Sequence, residues 1–127
     1  MKGVRIFVAA VLASALLATA APASADAAAF RHYVACGTSA GAKPSHVCSK
    51  RSKKGAFFRS NRADVDYKIC VKFPRGVPKR LICAPGQHAE KGSLYVNSIR
   101  SNVPGRHKVT WFVKGKRVGI FFFRVKA

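Results

Sequence analysis

Over residues 66–73 the side chains alternate in a strict two-residue repeat: Tyr67, Ile69, Val71 and Phe73 fall on one side, Lys68, Cys70 and Lys72 on the other. A period of two is the pattern of a strand with one face against a core and the other toward water. Residues 30–36, 55–58, 79–84, 93–99, 107–114 and 117–125 read as further strands. No segment after residue 25 carries a sustained helical stripe. About seven short strands, separated by Gly, Pro and Ser turns, define an all-β chain and a sandwich of two sheets.

Residues 1–25 have the composition of an export leader. Lys2 and Arg5 precede an apolar run over 6–18 interrupted only by Ser14, and Ala23-Ser24-Ala25 offers the small-x-small pattern for cleavage before Asp26. The run is shorter than the roughly 18–20 apolar residues that cross a bilayer, so a leader is expected rather than an anchor. Residues 26–127 then form one domain with a modest core. Within it, 26–55 supply an N-terminal strand and a basic, Gly/Ser-rich connection, and 56–127 form the sandwich body. The expected location is extracellular, with association to a cell wall in view.

All four cysteines, Cys36, Cys48, Cys70 and Cys83, follow the leader. An even number in a small exported domain predicts two disulfides. No pair has the short spacing of a zinc knuckle, and no metal site is expected. One pairing can be argued from register. If Gly76-Val77 lies at the centre of a hairpin, residues whose numbers sum to 153 stand opposite each other. Val71 then meets Ile82, and Cys70 meets Cys83 at a non-hydrogen-bonded position, where Cα atoms approach to about 4.5 Å. Pro78 has no N–H with which to close a tight turn, which leaves open a longer loop and a different register. Cys36 is left for Cys48, which would tie down the connection between the first two strands.

Charge bounds the function. The chain has 24 Lys and Arg against Asp26, Asp64, Asp66 and Glu90, a formal +20. Without the leader, 22 basic and 4 acidic residues leave +18. Such an imbalance repels itself and attracts polyanions. It also starves the chain of general acids, general bases and hard-metal ligands. Asp64 and Asp66 are expected to begin a strand and pair with Lys or Arg. His32, His46, His88 and His107 are scattered, and no nucleophile elbow occurs, so no catalytic residue is assigned and no cofactor is expected.

The basic residues most exposed by the pattern are Lys50, Arg51, Lys53 and Lys54, crowded enough to remain outside under any detail of the fold. Arg59, Arg62, Lys114, Lys116 and Arg117 extend the set. Lys68 and Lys72 project from the non-apolar side of their strand. Residues 118–123 (VGIFFF) are apolar on both sides. They suit a strand buried between neighbours, or an aromatic face that pairs two copies through residues 118–125, and flanking cations guard them against aggregation.

Pro104-Gly105-x-His107-x-Val109-x-Trp111-x-Val113-x-Gly115-x-x-Val118, closing on Phe123-Arg124-Val125, resembles the last two strands of immunoglobulin-like domains in small secreted bacterial proteins, especially actinobacterial ones. Their usual form has Tyr where this chain has His107. The resemblance implies an Ig-like or fibronectin-III-like sandwich used for binding or display. It implies no catalytic residues. The expectation is a non-enzymatic module for anionic surfaces or polymers, either wall polymer or nucleic acid. Two alternatives are a membrane-active antimicrobial protein reaching acidic membrane surfaces, and an inhibitor or toxin-like protein docking an acidic partner.

Overall fold

The computed structural model describes residues 29–127, so the leader, its cleavage site and Asp26 lie outside the described residues. Nine strands form among the described residues: β1 (Phe30–Ala35), β2 (Val47–Cys48), β3 (Lys54–Ser60), β4 (Val65–Lys72), β5 (Leu81–Cys83), β6 (Gln87–Ala89), β7 (Leu94–Ile99), β8 (Gly105–Val113) and β9 (Lys116–Val125). A three-stranded sheet in the order β1-β3-β7 covers a six-stranded sheet in the order β2-β9-β8-β4-β5, with β6 also paired to β4. The described residues are all-β, as the alternation requires.

The core is the inward side of that alternation. Tyr67, Ile69 and Val71 of β4, Val109, Trp111 and Val113 of β8, and Phe123 and Val125 of β9 meet Val34, Ala56, Phe58 and Ile99 from the smaller sheet. Phe58 and Tyr67 stack across the two layers with ring centroids 4.2 Å apart. Each side chain of this size, fully buried, contributes about 1.5–3 kcal/mol. The Tyr67 hydroxyl donates to Gln87 Oε1 at 2.9 Å. Burial, with Tyr95 nearby, pushes its pKa up to about 12, so it remains a donor at any ordinary pH.

Both disulfides are the expected ones, Cys36–Cys48 and Cys70–Cys83. The hairpin register is also as argued, Cys70↔Cys83 and Val71↔Ile82. The loop is longer than two residues, however. Phe73 N–H donates to the Arg80 carbonyl and Gly76 takes a φ of 96° within the turn. Pro78 is accommodated inside the loop, and because the loop grows by equal amounts on both sides the register is unchanged.

Two strands had no signal in the alternation. β2 is only two residues long and pairs in parallel with the end of β9. It belongs to the long connection after β1, which folds over the outer face of the smaller sheet: Ala42 packs against Tyr33, Ala35 and Phe57. That buried outer cluster explains the length of the connection. β6 continues the edge begun by β5, after the Pro85-Gly86 break.

The closing hairpin turns on Lys114 and Gly115, with φ of 51° and 77°. Two successive positive φ values suit the twist of a two-residue hairpin loop. Residues 118–123 do not lie evenly between neighbours: Phe123 is buried, while Phe122 points outward and is exposed. The far edge of β9 is met by β2 at Arg124 and Val125, and His46 Nδ1–H donates to the Phe122 carbonyl at 2.6 Å.

Candidate polyanion interface

Alternation that sends Tyr67, Ile69 and Val71 inward sends Lys68 and Lys72 outward, and the same parity runs through the neighbouring strands. Register places Lys68 opposite Phe112, Lys72 opposite Lys108, Lys108 opposite Phe122, and Arg106 opposite Arg124. Beyond a bulge at Trp111/Phe112, Arg117 joins this face. The outer face of the larger sheet therefore carries six cations with two aromatic rings set among them. Lys68 Nζ lies 5.8 Å from the centre of the Phe112 ring, and the Arg106 guanidinium lies 4.0 Å from that of Phe122. These contacts hold the cations upright over apolar surface and leave them hydrated.

On the smaller sheet Arg31 stands opposite Arg59. Together with Lys72↔Lys108 and Arg106↔Arg124, three cross-strand positions set cation against cation. Directly opposed like charges destabilise a sheet. Among the described residues the only carboxylate side chains are Asp64, Asp66 and Glu90. Two of them are engaged elsewhere. Contrary to the expected Lys or Arg partner, Asp66 accepts from His88 Nδ1 at 2.9 Å, and Asp64 lies 3.5 Å from His88 Nε2. The hydrogen bond from Asp66, aided by both negative charges, raises the His88 pKa above its ordinary value.

The basic residues singled out from the sequence divide into three places. Lys50, Lys53 and Lys54 line a cavity of about 700 Å³ whose walls include Arg100, Ser52 and Asn102. Arg51 is exposed on the turn beside it. Arg62, although 52 residues away, shares a second cavity of about 510 Å³ with Lys114, Lys116 and Arg117. Arg59 lines a smaller recess with Arg31.

One expectation fails. Lys54 does not stay outside: it is only 2% exposed. As the first residue of β3 it follows the strand inward, and its ammonium donates to the Lys50 carbonyl at 3.0 Å and the Ser101 carbonyl at 2.7 Å. Burial lowers its pKa. Lys54 is thus a structural cation and is removed from the contact set. Arg31, Arg100 and Arg124 were missed. Arg31 and Arg124 were legible in principle, by extending the in–out parity of β1 and β9 to their charged members.

Among the described residues no nucleophile, base and carboxylate converge. His107 bonds Ser101, and His88 bonds Asp64 and Asp66, in separate regions. His32 and His107 are packed inside, whereas His46 and His88 are exposed.

Among solved structures, an immunoglobulin-like protein from Pseudomonas aeruginosa is similar, with a TM-score of 0.51 over 76% of this chain and 91% of that one, at 10% identity. An alkylpurine DNA glycosylase from Pseudomonas fluorescens, bound to DNA containing an abasic-site analogue, gives a TM-score of 0.44 at 15% identity. This chain covers 30% of that enzyme's length, and the likeness carries no argument. No family model and no curated protein matches the chain. The architecture is an Ig-like β-sandwich stapled by two disulfides. Those disulfides and that fold are compatible with an extracellular protein.

Proposed function

We propose that this is a secreted, non-enzymatic module, of the small actinobacterial type its closing hairpin resembles, that binds linear polyanions such as wall polymer or nucleic acid. Residues 1–25 serve as its export leader. The observation that carries the reading is the set of opposed cations, Arg31↔Arg59, Lys72↔Lys108 and Arg106↔Arg124. Each pair costs stability in the isolated sheet, and each is relieved when a phosphate lies between its members. Phosphate contact releases condensed counterions, so affinity should fall steeply with salt.

The test is retention on heparin and phosphocellulose as a function of salt. Neutralising Lys72, Arg106, Lys108 and Arg124 to Gln should bring elution to lower salt and flatten the salt slope. Neutralising Lys50, Arg51 and Lys53 should do so to a smaller degree. Unchanged elution of the first variant overturns this face as the contact.

A second reading is favoured by the exposure of Phe122 and Leu81 beside these cations. An acidic membrane surface would be met by the same face, with the apolar side chains entering the interface. Leakage of dye from anionic but not zwitterionic vesicles would select it.

A further inference from the structure

The smaller sheet has three strands and the larger has six, so one side of the sandwich lacks a covering layer. The consequence is visible at Ile82. Register with Val71 turns it to the inner face of β5, yet it is 44% exposed. Between β5 and β7 an apolar cleft of about 280 Å³ opens, lined by Ile69, Val71, Phe73, Ile82 and Ile99. Its volume is near the lower end of the roughly 300–1,000 Å³ of small-molecule sites.

This cleft adjoins a larger cavity across the edge strand β7. Ser98, Ile99 and Arg100 wall both it and the 700 Å³ cavity that holds Lys50 and Lys53. No carboxylate lines either space among the described residues. An apolar slot thus lies beside a cationic chamber furnished with the hydroxyls of Thr38 and Ser52 and the amide of Asn102. A second copy of this chain would bring its own surplus of cations to the same mouth, and repulsion disfavours it. A polar polymer leaves the slot unfilled.

We infer that the open edge between β5 and β7 binds a single-chain anionic amphiphile, with its alkyl chain in the cleft and a glycerol-phosphate head in the cavity of Lys50, Lys53 and Arg100. Charge complementarity selects the phosphate, the surrounding hydroxyl and amide groups suit the glycerol, and the shared wall at Ser98–Arg100 joins the two halves. This site is distinct from the outer sheet face proposed to meet polymers.

Calorimetric titration of the oxidised protein with lauroyl lysophosphatidylglycerol, kept below its micellar concentration, tests the inference. Saturation at one lipid per chain is expected. Lauroyl lysophosphatidylcholine and glycerol 3-phosphate should each bind about tenfold or more weakly, since the choline cation of the first cancels the net charge of its phosphate and the second has no alkyl chain. Ile82→Asn, at an exposed position, should weaken the lysolipid and leave glycerol 3-phosphate unchanged. Lys53→Gln with Arg100→Gln should bring the anionic lipid down to the level of the choline lipid. Equal binding of the two lysolipids, equal binding of lipid and headgroup, absence of one-to-one saturation, or indifference to both variants overturns it. Heparin retention of Ile82→Asn should match the parent, which keeps this outcome separate from that for the polymer face.

Discussion

The Ser101 hydroxyl donates to Nε2 of His107 at 2.7 Å, and both lie where the chain turns from the β7 layer into β8. His107 Nδ1–H donates to the Gly105 carbonyl at 3.1 Å, which fixes the neutral tautomer with Nε2 as acceptor. Ser101 Oγ in turn accepts from Val103 N–H at 3.3 Å. The imidazole stacks on Phe123 with ring centroids 4.6 Å apart and meets Phe73 edge-on at 5.3 Å. His107 thus ties the start of β8 to Gly105 and Ser101, two and six residues upstream, with a group that can titrate.

Acid should therefore weaken the fold. Burial holds the pKa of His32 below its ordinary value. Burial lowers that of His107 too, and the nearby Lys54 cation adds to it, against an opposing contribution from the Gly105 carbonyl. A base with a depressed folded pKa stays neutral in the native state while the unfolded chain takes up protons. Its stability is complete above pH ~6.5 and declines as pH falls from there toward the folded pKa. His88 acts in the opposite sense, gaining as pH falls, but it is exposed and its contribution is screened. The midpoint of thermal unfolding should fall between pH 7.5 and pH 5. His107→Tyr and His32→Leu should each reduce that slope. An unaltered slope in both variants would show that acid acts elsewhere.

Lys54 and Lys53 are neighbours in sequence with opposite duties. Lys54→Met would leave the Lys50 and Ser101 carbonyls without their donor, a loss of about 1–3 kcal/mol for a buried group. Lys53→Gln, at an exposed position, should change stability by no more than about 0.5 kcal/mol. Denaturant titration of the two variants provides the check, and comparable losses would mean that Lys54 is not the structural member of the pair.

The same contrast marks how far the residues could be read. The sheet was legible because its parity is strict: Tyr67, Ile69, Val71 and the Cys70–Cys83 register follow from the period of two and from one turn centre. β2 was not, because two residues carry no periodicity, and Val47–Cys48 is held by its parallel neighbour β9 and by Cys36. The cationic character was plain from composition, but its placement depends on tertiary contacts. Lys54 looks like its neighbours until Ser101, 47 residues later, caps its ammonium. Arg62 joins Lys114 and Arg117 only through the packing of the two sheets.

Gly119 of β9 faces His32 of β1, and its absent side chain makes room for that ring. A Cβ there would fall within the van der Waals envelope of the His32 ring. That ring in turn tilts against Trp111 with centroids 5.1 Å apart, at the centre of the core. Gly119 also stands opposite Trp111 in the β8–β9 register, so the glycine is the floor of the slot that holds both rings. Gly119→Ala should force the imidazole or the strand to move and destabilise by about 1–3 kcal/mol, the usual cost of overpacking. Glycine otherwise weakens a strand, so an alanine that met nothing would stabilise it by roughly 0.5–1 kcal/mol. The sign of the change therefore separates the two cases. In the His32→Ala background the penalty should shrink, and a double-mutant cycle of thermal or denaturant unfolding reads the coupling directly. Additive effects would mean that the ring does not press on β9.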